Sequence, residues 1–153
     1  MAAAALAVAP ATGAPAKAKK AKSFSCTIEN YQLGQPTPAN PTAVSLGFVS
    51  CPKPFGEGLH YNRTTITKMP APGVPGTATG TFKNYYNRGT TRGTAALTIV
   101  PSSPMNITYT GTVTYTGGTG KFKRVRGGGT IVCTTTDGGA HRSCTVKSKL
   151  TGV

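Results

Sequence analysis

Residues 107–116, Ile107-Thr108-Tyr109-Thr110-Gly111-Thr112-Val113-Thr114-Tyr115-Thr116, set an apolar or small residue against a threonine at every step. A period of two puts Ile107, Tyr109, Gly111, Val113 and Tyr115 on one face of a β-strand and the threonines on the other. The preceding run repeats the pattern, with Ala95, Leu97 and Ile99 against Thr94, Ala96 and Thr98. One run earlier, Ala78, Phe82 and Tyr86 oppose Thr77, Thr79 and Thr81. Threonine is β-branched, so it favours extended backbone, and its hydroxyl tolerates water. These runs predict a sheet with one apolar face and one wet face.

Working outward, turn-rich stretches divide the chain into eight strands, at about 23–33, 42–51, 58–68, 77–87, 90–100, 105–116, 121–136 and 140–150. The cysteines test the pairing. A two-residue loop at Gly138 and Gly139 suits the φ > 0 positions of a primed hairpin turn. It sets Thr136 opposite His141, Cys133 opposite Cys144 and Ile131 opposite Val146. Cys26 and Cys51 are equidistant from the Pro-rich turn Gly34 to Pro41. Each pair therefore closes its own hairpin with a disulfide. With so short a loop Cys133 and Cys144 form a hydrogen-bonded pair, with Cα atoms about 5.5 Å apart. The first hairpin is less regular, since Cys26, Ile28 and Val49 share one face while Tyr31, Val44, Leu46 and Phe48 share the other. A bulge that shifts the phase and a sheet covered on both sides each account for this. Four cysteines could also suggest zinc, but there is no C-x-x-C spacing and neither His60 nor His141 is grouped with them. No metal or other cofactor is expected.

Eight antiparallel strands with one apolar face predict an all-β fold, an eight-stranded antiparallel up-and-down barrel, with a two-sheet β-sandwich as the alternative. Short turns between sequential strands favour the barrel. Glycines at 80, 89, 93, 111, 117, 118 and 120 would let a small barrel coil where side chains crowd. The barrel occupies residues 23–153, and with only 37% apolar residues its core is thin, so the two crosslinks matter to stability.

Ahead of it, Ala2 to Ala9 form a short apolar run, followed by Ala14-Pro15-Ala16, a small-x-small cleavage pattern. Residues 1–16 read as a signal peptide and 17–22 as a basic disordered segment, which makes the chain secreted. The basic residues that normally precede such a run are missing, as a truncated start would leave it. No apolar stretch approaches the roughly 20 residues that span a bilayer as a helix. Seventeen Lys and Arg against three acids, Glu29, Glu57 and Asp137, give a formal charge of +14. Such a surface attracts polyanions of any kind, and nothing in it points to a specific nucleic acid. The same charge also serves plain solubility.

The stretch Tyr109 to Gly129 carries Tyr115-Thr116-Gly117-Gly118-Thr119-Gly120-Lys121-Phe122, followed by Val125 and Gly127. It resembles the strand-to-strand corner of the allene oxide cyclase barrel-like group, which is related to plant dirigent proteins. The resemblance implies an eight-stranded barrel with a lumen that binds or converts a small apolar molecule, with Phe122 plugging one end. It covers about a seventh of the chain and carries no catalytic residue across.

Two candidate sites follow. An apolar lumen lined by Phe82, Tyr86, Leu97, Ile107, Tyr109 and Tyr115 could stack on a small ligand, or be filled by those same side chains. A basic face built from Lys121, Lys123, Arg124, Arg126, Lys147 and Lys149, helped by Lys17, Lys19, Lys20 and Lys22, could hold an anionic extracellular polymer. No catalytic residue is assigned: the cysteines are consumed, and His60 with Glu57, Tyr61 and Arg63 reads as a solvated loop and strand edge. The expectation is a secreted, non-enzymatic binding or scaffold barrel, with a cyclase-like or dirigent-like barrel as the alternative.

Overall fold

The alternation at 107–116 becomes one strand of a ring. A computed structural model describes residues 20–71 and 73–153. Its strands are β1 (Lys22–Leu33), β2 (Thr42–Cys51), β3 (Gly56–Lys68), β4 (Gly76–Tyr86), β5 (Gly89–Pro101), β6 (Ile107–Gly118), β7 (Arg126–Thr135) and β8 (His141–Thr151). Each pairs antiparallel with its sequence neighbour, and β8 returns to β1, so the barrel closes and no edge is left open. The sandwich alternative is thereby set aside. The leader at 1–16 and the tail residues Lys17 and Lys19 lie outside the described residues.

Both disulfides form as hairpin geometry predicts, Cys26–Cys51 and Cys133–Cys144. The final hairpin keeps the expected register, with Cys133 opposite Cys144 and Ile131 opposite Val146. Its loop does not. Strand β7 stops at Thr135, so Thr136 to Ala140 make the turn. The Thr135 hydroxyl donates to Asp137 Oδ1 (2.6 Å) and accepts from the Gly139 N–H (3.1 Å), while the His141 N–H donates to the Asp137 carboxylate (3.0 Å). Those bonds hold the Asp137 carboxyl below its usual range, that from Thr135 most of all. The longer loop changes the phase of the ladder. The Cys133 and Cys144 Cα atoms lie 3.9 Å apart, nearer the narrow non-hydrogen-bonded spacing than the 5.5 Å expected.

The first hairpin has no bulge: its register runs unbroken from Thr27 opposite Ser50 to Leu33 opposite Val44. Cys26, Ile28, Asn30, Ala43, Ser45 and Val49 are buried, while Tyr31, Leu33, Leu46 and Phe48 are exposed, Phe48 at 64%. Leu59 and Tyr85 extend this outer apolar patch, since Phe48 pairs with Leu59 and Leu59 with Tyr85. Elsewhere the outer positions follow the threonine pattern, with Thr94, Thr98, Thr110, Thr112 and Thr114 all outside.

The corner after β6 departs from a simple strand turn. Gly120, at φ +57°, opens a 3-10 turn through Phe122, and β7 begins at Arg126 rather than at 121. The backbone needs those extra residues to swing Phe122 inward. Thr119 anchors the corner, its N–H donating to Thr90 O (3.0 Å) and its Oγ1 accepting from the Thr90 N–H (3.1 Å). Phe122 is 1% exposed and meets Phe55 at 4.8 Å and Tyr86 at 5.6 Å between ring centroids. Phe24 completes the cluster against Phe55 at 5.1 Å. These rings close the end of the barrel that carries the β2–β3, β4–β5 and β6–β7 connections. Further in, Gly93 faces the Phe82 ring, and a Cβ there would lie only 2.6 Å from that ring, so the glycine makes room for it.

Truncating the plug tests this core. Phe122→Ala should cost about 3–5 kcal/mol in urea unfolding, whereas Phe48→Ala on the outer face should stay within about 1 kcal/mol. Equal losses would show that Phe122 does not seal the barrel.

Candidate functional site

Because side chains alternate in and out, one cross-strand row inside the barrel can be followed residue by residue. Arg142 on β8 lies opposite Asn30 on β1, Asn30 opposite Gly47, Gly47 opposite His60, His60 opposite Asn84, and Asn84 opposite Thr91. Apart from Gly47, every member is polar and buried. Burial without partners would be costly, so the row binds itself. His60 Nδ1–H donates to Asn84 Oδ1 (2.7 Å), and Asn84 Nδ2 donates to Thr91 Oγ1 (3.2 Å). Asn62 Nδ2 donates to His60 Nε2 (3.0 Å), and the Thr64 hydroxyl donates to Asn62 Oδ1 (3.3 Å). That direction assigns the Nδ1–H tautomer of a neutral imidazole. Burial lowers the His60 pKa, the Arg142 charge lowers it further, and the bond to Asn84 opposes both.

The expectation that His60 belongs to a solvated cluster with Glu57, Tyr61 and Arg63 is overturned. It faces the interior at 5% exposure, while Glu57 and Arg63 are exposed on the other face of β3. Strand alternation separates neighbours that the linear sequence groups. Glu57 also lies within β3, opposite Ser50, rather than in a loop.

Arg142 sits at the other end of the row. Its Nε donates to Asn30 Oδ1 (3.2 Å), its Nη2 to Ser45 Oγ (2.5 Å), and its guanidinium lies 5.4 Å from the Tyr109 ring centroid. It borders two cavities. The inner one, of about 50 Å³, is bounded by Phe82, Leu97, Tyr109, Tyr115, His60 and Arg142 among others. It has room for one or two waters at roughly 30 Å³ each. The outer one, of about 220 Å³, lies towards the end that carries the β1–β2, β3–β4, β5–β6 and β7–β8 turns, with Gln32, Gln35, Ile66, Met69, Ile107, Tyr109 and Arg142 around it. One end of the barrel is thus sealed by aromatic rings and the other has a mouth whose floor is Arg142 and Tyr109.

All six residues assigned to the lumen point inward. Phe82, Leu97, Tyr109 and Tyr115 border the inner cavity and Ile107 the mouth, whereas Tyr86 belongs to the aromatic plug. Burial pushes the Tyr115 phenol up to about 12 and raises those of Tyr86 and Tyr109, so all three stay protonated at neutral pH.

The six residues of the basic face are all exposed but do not lie on one face. Lys147 and Lys149 face outward on β8, beside Thr130 and Gly128 of β7. Arg126 opens β7, with its Nη1 donating to Val125 O (2.8 Å). Lys121 is in the 3-10 turn, and Lys123 and Arg124 precede β7, so these three crown the sealed end rather than the last two strands. Lys22, Lys53 and Arg88 join them there, at the start of β1 and in the β2–β3 and β4–β5 connections. Sequence reading placed Lys22 in the tail and passed over Lys53 and Arg88, which only topology brings to one end.

A Ser-Glu-His grouping also emerges on the outer face. Ser143 Oγ donates to Glu29 Oε1 (2.6 Å), and His141 Nε2 lies 2.9 Å from Glu29 Oε2, with its ring stacked on Tyr31. Nucleophilic catalysis needs the serine proton to pass to the imidazole, with the carboxylate behind it. Here the carboxylate stands between them, so the order is wrong for a triad.

The chain matches no protein-family model, no curated protein and no solved structure.

The His60 environment gives a pH dependence. An imidazole in the unfolded chain takes up its proton near 6.5, while the buried one resists, so the unfolded state binds more protons below that value and stability falls with falling pH. Stability is full above about 6.5 and declines towards the lowered folded value. In urea titrations between about pH 7.5 and 5.5, His60→Gln should flatten that decline; an unchanged slope would mean that folding leaves the His60 proton affinity where it is in the unfolded chain, and a steeper one that the fold holds it protonated.

Proposed function

We propose that this chain is a non-enzymatic extracellular barrel that holds anionic polymers through the cations of its sealed end and of β8. The observation that carries the reading is an asymmetry of charge. Lys22, Lys53, Arg88, Lys121, Lys123 and Arg124 gather at one end, and among the described residues the only ion pair joins His141 to Glu29 elsewhere. Cations without carboxylate partners attract long anions without loss of internal pairing. Two disulfides suit an oxidising compartment and agree with the expected leader. Among the described residues no helix is long and apolar enough to cross a membrane.

A second reading is favoured by one observation, the 220 Å³ mouth, together with the corner motif: a barrel that takes a small apolar molecule into its lumen. Against conversion of that molecule stands the state of the interior, where both ring nitrogens of His60 are already engaged by asparagines.

Binding to dextran sulfate or heparin should weaken steeply with salt, and Lys147→Ala/Lys149→Ala should lower the log–log salt slope by roughly two. Salt-independent binding, or none at low ionic strength, would defeat the polyanion reading.

A further inference from the structure

Arg142 is a cation at 6% exposure, and its partners are a carboxamide, a hydroxyl and an aromatic ring. None carries negative charge. A buried, uncompensated charge is costly, and the chain has no acid with which to compensate it. Glu29 faces outward and is held by Ser143 and His141, Asp137 is held by Thr135 and the His141 N–H, and Glu57 is exposed on β3. The bonds to Asn30 and Ser45 use only part of a guanidinium that offers five N–H donors. The same side chain borders the mouth, whose wall includes Ile66, Met69, Ile99 and Ile107.

We infer that the mouth is a binding site for a compact organic monocarboxylate, its carboxylate on Arg142 and its apolar body against those four side chains. This rests on the second reading above for access to the lumen, and it names the ligand class. The charge balance selects a monoanion, because one guanidinium meets one negative charge whereas a phosphate dianion would leave a buried excess. The planar fork of arginine matches a carboxylate in two parallel hydrogen bonds. The size selects a compact body, since about 220 Å³ holds roughly seven waters at about 30 Å³ each. The net charge of +14 steers anions towards the barrel, and the apolar walls reject those without an apolar part.

Benzoate and its neutral isostere benzamide separate these contributions in calorimetry and in spectra of ¹⁵N-arginine-labelled protein. Benzoate should bind saturably and shift the Arg142 Nε–H resonance, and benzamide should bind at least about tenfold more weakly. Arg142→Lys keeps the charge but loses the fork and should weaken benzoate about tenfold. Ile107→Trp leaves Arg142 in place but fills the mouth and should abolish binding; it keeps the proposal open to refutation should Arg142→Lys fail to fold. Equal affinity for benzoate and benzamide, both lost in Ile107→Trp, would keep the lumen reading and overturn the Arg142 anchor. Absence of saturation by either up to about 10 mM would overturn both. Benzoate binding that survives Ile107→Trp but is lost in Lys147→Ala/Lys149→Ala would assign the anion to the outer cations and overturn the proposal.

Discussion

The return of β8 to β1 is the constraint on which the rest depends. Once eight strands close, each must send every second side chain into one shared interior, and no position can escape by moving to an edge. The interior volume then sets residue sizes. Where Phe82 fills it, Gly93 faces its ring across the strand pair, and where Phe122 must turn inward, the chain leaves the ladder for a 3-10 turn at Gly120. The same closure converts a list of turns into two ends, one sealed by Phe24, Phe55, Tyr86 and Phe122 and one left open above Arg142.

Most of this geometry was legible because a period of two carries both face and register. The threonine runs identified β4, β5 and β6, and the symmetry of the cysteines about their turns identified both disulfides. What failed were the local details that side-chain hydrogen bonds decide. The Asp137 loop is longer than its glycines suggest, because Thr135 and Asp137 knit a turn of their own. The outer apolar residues of the first hairpin, Tyr31, Leu46 and Phe48, confused the phase because both faces of that hairpin carry large side chains.

The polar interior shows a different kind of oversight. Arg142 precedes the inward Cys144 by two positions, so the register that paired the cysteines already placed it inside the barrel. Its charge was counted towards the surface because arginine is seldom buried. His60 went astray for the reverse reason: its neighbours Glu57, Tyr61 and Arg63 look like a polar cluster until alternation divides them. A phase assignment, once made, should override residue type. Applied to β4 and β8, it places Asn84 and Arg142 inside; on β3 the outward Leu59 and Tyr61 hide the phase, and the pairing of His60 with Asn84 is what reveals it.

The polar row also explains why the two ends of the barrel differ chemically. A small barrel is most stable when filled with apolar side chains in good rotamers, as the sealed end is. The interior between that end and the mouth instead keeps a guanidinium, three carboxamides and an imidazole, each hydrogen-bonded to a neighbour, an arrangement that packing alone does not require. Apolar replacements of similar volume would cost nothing in pairing and would spare the desolvation of Arg142. The neutral members of the row satisfy one another, but charge balance at Arg142 cannot be achieved from within the chain. The electrostatic asymmetry therefore points towards the mouth beside that residue, where a negative charge from solvent or ligand would complete it.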